Sequence, residues 1–406
     1  MKIRSITTFF NLGWPIVESD LQQAANFIST ARPAFEAAGF EVQTARLATP
    51  PFPKLLPDCK SATVVDFART LVAAVSSIGF DYLSIGPALP EIPESYQVIP
   101  DVIAATQNVF ASGVMADPQN GVSLPAVRAC AEVIHHLGPI DKNGFANLYF
   151  AGLANVLPGA PFFPAAYHDG GMPAFAIATE AADLAVKAFT DAESLDDARQ
   201  NLTKTLETHA HQILAVVDDL THRFNVRFGG IDYSLAPYPE VDRSLGTAME
   251  RLGVPKVGLH GSLTAAAIIA DTLDKANFPH TGFSGMMLPV LEDSTLAARA
   301  ADGSLTIKDL LLYSAVCGTG LDTVPLSGDV TVEQLAAVLL DLSALAMRLG
   351  KPLTARLMPI PSKKAGDPTD FDFAYFANSR VMGLDAENLT KALAGDESFD
   401  LKPRSF

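Results

Sequence analysis

The sequence predicts an α/β fold made of two similar halves, and three observations carry that prediction. Apolar runs with strand character alternate with amphipathic runs of helical period along the chain. The alternation gives five strands, then a segment at 156–172, then five more strands. Hydrophobic residues make up 49% of the chain and charged residues only 18%, which suits a large buried core. Strands that alternate with helices need crossover connections, so many of the pairings should be parallel.

In the first half, strands are predicted at 3–12, 41–47, 81–86, 109–115 and 147–155. Helices fit between them at 19–38, 62–79, 96–107 and 124–137, the first opening on Ser19 as an N-cap with acidic charge behind it. The second half repeats this grammar more loosely. Its strands fall at 173–179, 226–233, 281–290, 313–324 and 353–360, with helices at 195–223, 242–252, 262–275, 306–312 and 331–349. At 406 residues the chain exceeds the ~100–200 residues of an ordinary domain. Yet no charge run, Gly/Ser tract or low-complexity stretch divides it, so residues 1–406 read as one domain. The first half covers 1–155 and the second 173–406.

Charge and composition exclude several classes. A net charge of −16 argues against nucleic acid as a partner, because phosphate binding needs a basic surface. No run of 18 apolar residues exists, so no membrane span is expected. The N-terminal MKIRSITTFFNLGWP reads as a first strand rather than a signal peptide. Cys59, Cys130 and Cys317 are odd in number and widely spaced, which fits a reducing compartment and a cytoplasmic protein. There is no Walker A loop, GxGxxG, HExxH or GxSxG, so no nucleotide cofactor is indicated.

What remains is a set of polar residues at predicted strand ends and loop starts, where α/β folds place function. His168 and Asp169 precede Gly170 and Gly171 between apolar runs. They read either as a turn or as an imidazole delivered into a pocket beside a carboxylate that holds its tautomer. Asp232 ends an apolar strand, with Ser234 just beyond. It reads as a carboxylate at a strand tip or as a turn cap, while Asp242 reads as the N-cap of helix 243–252. His260 stands between Gly258 and Gly261 and reads as structural or as a catalytic partner. Gly282, Ser284 and Gly285 can form a backbone nest for an anion. Glu292 and Asp293 can hold a hard divalent cation such as Mg²⁺ or Ca²⁺, or open the helix around 294–301. Cys317 is an inert core thiol unless a base makes it a nucleophile, and Asp322 follows it after Gly-Thr-Gly. Arg356, late in a strand, can clamp a carboxylate or phosphate with both arms of its guanidinium.

Taken together, IDYSLAPYPEVDRSL, GLHGS, GFSGMMLPVLED, CGTGLD and RLMPIPSKKAGD resemble, in order and spacing, the domain of unknown function 711 family, whose members are often described as PFL-like. The resemblance covers residues 145–383 well and extends more faintly to the N-terminus. It implies a fold similar to pyruvate formate-lyase: a ten-stranded α/β barrel of two five-stranded parallel halves, with a finger loop in its centre. On that reading AYHDGG is the tip of the finger. The C-terminal RVMGL resembles the glycyl radical signature, but Leu384 replaces its aromatic residue and His168 stands where a radical cysteine is needed. Radical chemistry is therefore rejected.

These readings lead to an enzyme doing polar acid–base chemistry, a hydrolase or lyase, on a small polar or carboxylate-bearing molecule inside the barrel. His168 would be the acid or base, with Asp232 and His260 as partners. The alternative is a small-molecule-binding or regulatory protein without catalysis. A homodimer is the default expectation for a soluble protein of this kind.

Overall fold

A computed structural model of the chain describes residues 1–316 and 318–403. Eleven strands form in chain order: β1 (Lys2–Phe9), β2 (Val42–Ala48), β3 (Tyr82–Ala88), β4 (Val109–Asp117), β5 (Gly121–Ser123), β6 (Phe150–Ala154), β7 (Ala174–Glu180), β8 (Arg227–Ala236), β9 (Gly320–Ser327), β10 (Leu353–Ile360) and β11 (Ser398–Phe399). The main sheet runs β8-β7-β1-β2-β3-β4-β6-β10-β9, with β5 and β11 pairing beside β4. The pairings β1–β2, β2–β3, β3–β4 and β4–β6 are all parallel, so the first half is one five-stranded parallel sheet. The pairs β7–β8 and β9–β10 are parallel too. The halves meet antiparallel at two seams, β1 against β7 and β6 against β10. This is a mixed α/β protein with one large sheet whose two ends, β8 and β9, are not joined by a strand among the described residues.

The predicted strand at 281–290 is therefore corrected. The segment makes only single parallel bridges, with Ile231↔His280 at one end and Pro289↔Asp322 at the other. The local cause is its own composition: Gly282 and Ser284 take positive φ (64° and 34°), which breaks an extended run. The backbone N–H groups of Phe283 and Ser284 point to the Asp232 carboxylate instead of to a neighbouring strand. The predicted strand 313–324 is corrected as well. Its first residues continue the helix Ile307–Val316, and the strand begins only at Gly320. A short apolar run such as LLLYSAV has no period that separates buried helix from strand.

Most helices follow their end signals. Thr331 and Gln334 form a reciprocal capping box at the start of Val332–Leu349, and Gly350 closes it in the left-handed region at φ 64°. Ser194 caps the long helix Leu195–Phe224. Two predicted caps shift. Ser19 lies inside the helix Glu18–Ala37, and Ser244 rather than Asp242 caps the helix Leu245–Arg251. The helices bury apolar faces on the sheet, as Phe27, Ile28, Ala31 and Phe35 do on Glu18–Ala37.

The middle of the segment 156–172 is buried from 160 to 166 and at His168, while 157–158 and 169–172 are exposed. Gly159 N–H donates to Tyr167 O at 3.0 Å, which closes residues 160–166 into a loop. Thr7 Oγ1 of β1 donates to Pro161 O (3.0 Å), and Ser84 Oγ of β3 donates to Ala166 O (2.7 Å). The loop's apolar side chains pack in two clusters. Phe162 and Ala165 join Ala151, Leu153, Ala236 and Met287, while Phe163 and Ala166 join Phe9, Ala48, Phe110 and Ala174. The loop thus contacts strands from both halves. No helix among the described residues is long and apolar enough to cross a membrane.

Candidate functional site

Beside this loop opens a cleft whose empty space, with the open solvent at its mouth, is about 830 Å³. Strands of both halves supply its walls: Arg4 from β1, Arg46 from β2, Asp232 and Ser234 from β8, and Arg356 from β10. Phe162 and Phe163 of the loop and Phe373 and Tyr375 of the C-terminal segment complete it.

Charge in this cleft is organised around Glu292. Arg356 is only 4% exposed; its Nε donates to Asp322 Oδ1 (2.6 Å) and its Nη2 to Glu292 Oε1 (2.8 Å). Arg4 donates to the other oxygen of Glu292 and, through Nη1, to Pro237 O at 3.2 Å. Arg4 reaches inward because the pairing of β1 with β7 skips it: Ile3 faces Thr179 and Ser5 faces Ala178, so Arg4 is the extra residue of a bulge. Burial alone would raise the Glu292 carboxyl, but Arg4 and Arg356 outweigh it and hold the group below its ordinary 4.5. Asp322 goes the other way. Burial pushes its carboxyl up despite Arg356, and its Oδ2 is buried without a hydrogen-bond partner among the described residues.

Arg46 differs from the other two arginines. Its Nε donates to Thr44 Oγ1 (2.9 Å), and no carboxylate lies within ion-pair reach among the described residues. Its guanidinium carbon sits 5.6 Å from the centre of the Tyr82 ring and 5.3 Å from that of Phe163. Burial and the neighbouring charge of Arg4 push its pKa down to about 10, and the opposing pull of Tyr82 and Glu292 offsets only part of that.

The lowered Glu292 pKa makes a signed prediction. A carboxyl whose folded pKa lies below its unfolded one stabilises the protein above the unfolded value, and that contribution is lost as pH falls through the folded value. Glu292→Gln should therefore cost clearly more at about pH 7 than at about pH 4, read from urea denaturation at both. An equal cost at the two pH values would show that Glu292 acts by shape and not by charge.

The structure separates several residues that the sequence reading groups together. His168 does not line the cleft. It is 2% exposed, its backbone N–H donates to Thr49 O (2.9 Å) beyond the end of β2, and its ring Nδ1 accepts from Gly170 N–H (2.5 Å). Burial lowers its pKa, partly offset by Asp169, which is itself exposed and accepts from Gly171 N–H at 2.8 Å. The reading placed His168 at the tip of the loop; it lies instead just past the Gly159–Tyr167 closure, and Phe162 and Phe163 hold the closed part. His260 is also corrected: it is exposed, in the turn before the helix Ser262–Lys275, and meets neither His168 nor the cleft. Cys317 lies outside the described residues.

Asp232 and Ser234 do reach the cleft, but their atoms already have partners. Asp232 accepts from Ser234 Oγ, from Phe283 N–H (3.1 Å) and from Ser284 N–H (3.0 Å), and burial still raises its carboxyl. The backbone nest expected at 282–285 is thus occupied by the protein's own carboxylate. A side chain at Gly282 would place its Cβ 2.2 Å from Asp232 Oδ2, so glycine is required for this approach. Ser284 Oγ turns away to Ile231 O (3.1 Å) and Thr281 O (2.9 Å).

The adjacent Glu292 and Asp293 face different surroundings. Asp293 caps the helix Ser294–Ala301 through Thr295 and Leu296 N–H, and also accepts from Ser244 Oγ (2.5 Å), Leu245 N–H and Gly246 N–H. A cation at Glu292 would have to displace an arginine, and one at Asp293 would have to displace these donors. Among the described residues no group of three or more His, Cys, Asp or Glu is placed to hold a metal. Arg4 and Arg46 are the site residues the sequence reading missed. The available signal was an arginine inside a predicted strand, whereas Arg356 was marked by its place late in one.

Comparison with known proteins follows the whole architecture. A family model described as "Uncharacterised ACR (DUF711)" matches residues 1–378. The chain is 30% identical to a UPF0210 protein of Pyrobaculum aerophilum over 368 residues, covering 86% of this chain and 81% of the relative. It is 32% identical to a UPF0210 protein of Methanopyrus kandleri over 319 residues, covering 75% and 70%. A UPF0210 protein of Acetivibrio thermocellus is 27% identical over 368 residues, covering 86% and 80%. The nine strands of the main sheet path, the loop and the arginine-lined cleft all lie within the matched region, and the chain belongs to the DUF711 family.

Proposed function

We propose that this protein binds a small anionic molecule, carboxylate- or phosphate-bearing, in the cleft between the 156–172 loop and the sheet. One observation carries the reading: Arg46 is a half-buried guanidinium whose terminal nitrogens make no hydrogen bond among the described residues, while Arg4 and Arg356 beside it are neutralised by Glu292 and Asp322. A planar fork of this kind takes a carboxylate or phosphate in two parallel hydrogen bonds. In the same proposal the sheet is a ten-staved barrel, with 280–290 as the irregular tenth stave and 156–172 as the finger within it. The bridges at His280 and Pro289 and the loop's contacts with both halves support that view. The protein is then cytoplasmic, acts on a small molecule and works as a homodimer.

The enzymatic version, a hydrolase or lyase, is favoured by Asp232, a cleft-wall carboxyl whose burial keeps its proton to higher pH than usual. His168 has no part in it, since it lies away from the cleft.

Titration calorimetry of the full chain with small carboxylates and inorganic phosphate tests the binding. Arg46→Gln should weaken the tightest anion by about 10- to 100-fold, the worth of a charge-assisted pair, and Arg46→Lys should recover only part of it. Unchanged affinity in Arg46→Gln would sink the proposal. Product analysis on the same anions then separates turnover from binding.

A further inference from the structure

We infer that the ligand is an aromatic monocarboxylate, its carboxylate on Arg46 and its ring among Phe110, Phe162 and Phe373. The inference rests on the anion-binding reading above and adds what the anion is attached to. Two features of the cleft carry it.

The first is charge. Arg4, Arg46 and Arg356 face Glu292 and Asp322, which leaves one positive charge unmatched in this cluster. Asp232, also on the wall, is turned to the N–H groups of Phe283 and Ser284 and the hydroxyl of Ser234. One ligand carboxylate balances the cluster. A phosphate dianion would bring surplus negative charge toward Glu292 in a poorly solvated space, where repulsion is weakly screened.

The second is the wall itself. The guanidinium of Arg46 is flanked by Tyr82 and Phe163, so a carboxylate docked on it carries its substituent into carbon-lined space. That space is bounded by Phe110, Leu148, Phe162, Met287 and Phe373. The rings already stand edge-to-face: Phe110 is 5.3 Å from Tyr82 at 69° and 5.3 Å from Phe163 at 65°. Phe162 also lies 5.4 Å from the guanidinium carbon of Arg356. A flat ring inserted here finds edges and faces in the geometry aromatic pairs prefer, which an aliphatic chain cannot exploit as well.

The test is calorimetric titration of the full chain with benzoate, acetate and inorganic phosphate at constant ionic strength. Benzoate should bind at least about tenfold more tightly than acetate, because it adds a buried ring to the same anion. Phosphate should bind no better than acetate. Phe373→Leu, in a loop that can accommodate the change, should weaken benzoate by about three- to tenfold and leave acetate unaltered; Phe110→Leu should act likewise. Acetate or phosphate matching benzoate in a binding that Arg46→Gln abolishes would overturn the aromatic inference alone. Binding that ignores Arg46→Gln would overturn the anion-binding reading beneath it.

Discussion

Arg356→Ala is expected to cost about 3–5 kcal/mol of stability, the usual penalty for removing one partner of a buried ion pair. Arg356 is 4% exposed and joins Asp322 (0% exposed) to Glu292 (3% exposed). Without it, Asp322 loses the partner of Oδ1 and already has none at Oδ2 among the described residues. Glu292 keeps Arg4, so the damage should concentrate on Asp322. Adding Asp322→Asn should therefore recover part of the loss, since it removes the charge left stranded, whereas adding Glu292→Gln should recover less. Arg356→Lys should fall between wild type and Arg356→Ala, because one ammonium cannot reach both carboxylates in the geometry of a fork. Urea denaturation at about pH 7 gives all four values by linear extrapolation. A cost below about 1 kcal/mol for Arg356→Ala would mean that water or rearrangement satisfies both carboxylates, and the cleft would then be more open than its geometry indicates.

The fold was legible wherever information is local. The β-rich runs IRSITTFF, EVQTARL and DYLSIG all became strands. The segment 281–290 was illegible because what decides it is distant. The N–H groups of Phe283 and Ser284 are claimed by Asp232, some fifty residues earlier in the chain, and no local pattern announces that. Burial of His168 was legible from its apolar flanks, but its position along the loop was not. That depends on which loop residues meet strands of the opposite half, and Phe162 and Phe163 have more surface to bury. Two glycines around His260 suggested close approach of another chain segment. For Gly258 this is correct, since a Cβ there would lie 1.9 Å from Ser304 O, but the histidine itself faces outward. Arg4 and Arg46 looked like ordinary strand charges. Whether such an arginine snorkels to solvent or turns into a cleft is fixed by a bulge in one case and by the partner strands' faces in the other.

Asp293→Ala should destabilise the protein by about 4 kcal/mol or more, the largest effect expected of any single carboxylate here. Asp293 is 0% exposed and accepts from Ser244 Oγ, Thr295 N–H and Leu296 N–H at Oδ1, and from Leu245 N–H and Gly246 N–H at Oδ2. It therefore ties together the starts of two helices, Leu245–Arg251 and Ser294–Ala301. Each donor left buried and unpaired costs about 1–3 kcal/mol, and partial collapse or entry of water keeps the sum below the simple total. Asp293→Asn offers a sharper test. An asparagine oxygen can keep the three donors at Oδ1, but its NH₂ group would confront the N–H groups of Leu245 and Gly246. Its cost should be about half that of alanine. Burial pushes the Asp293 carboxyl upward in spite of these donors, so ionising it works against folding as pH rises through its folded value. The advantage of aspartate over asparagine should accordingly be geometric and should not grow as pH rises above neutrality. If Asp293 were instead a ligand to a hard cation, alanine would lower stability only when Mg²⁺ or Ca²⁺ is present. Urea denaturation in EDTA and with either cation separates the two: an equal loss in all three conditions supports the cap, and a loss confined to added metal restores the cation site.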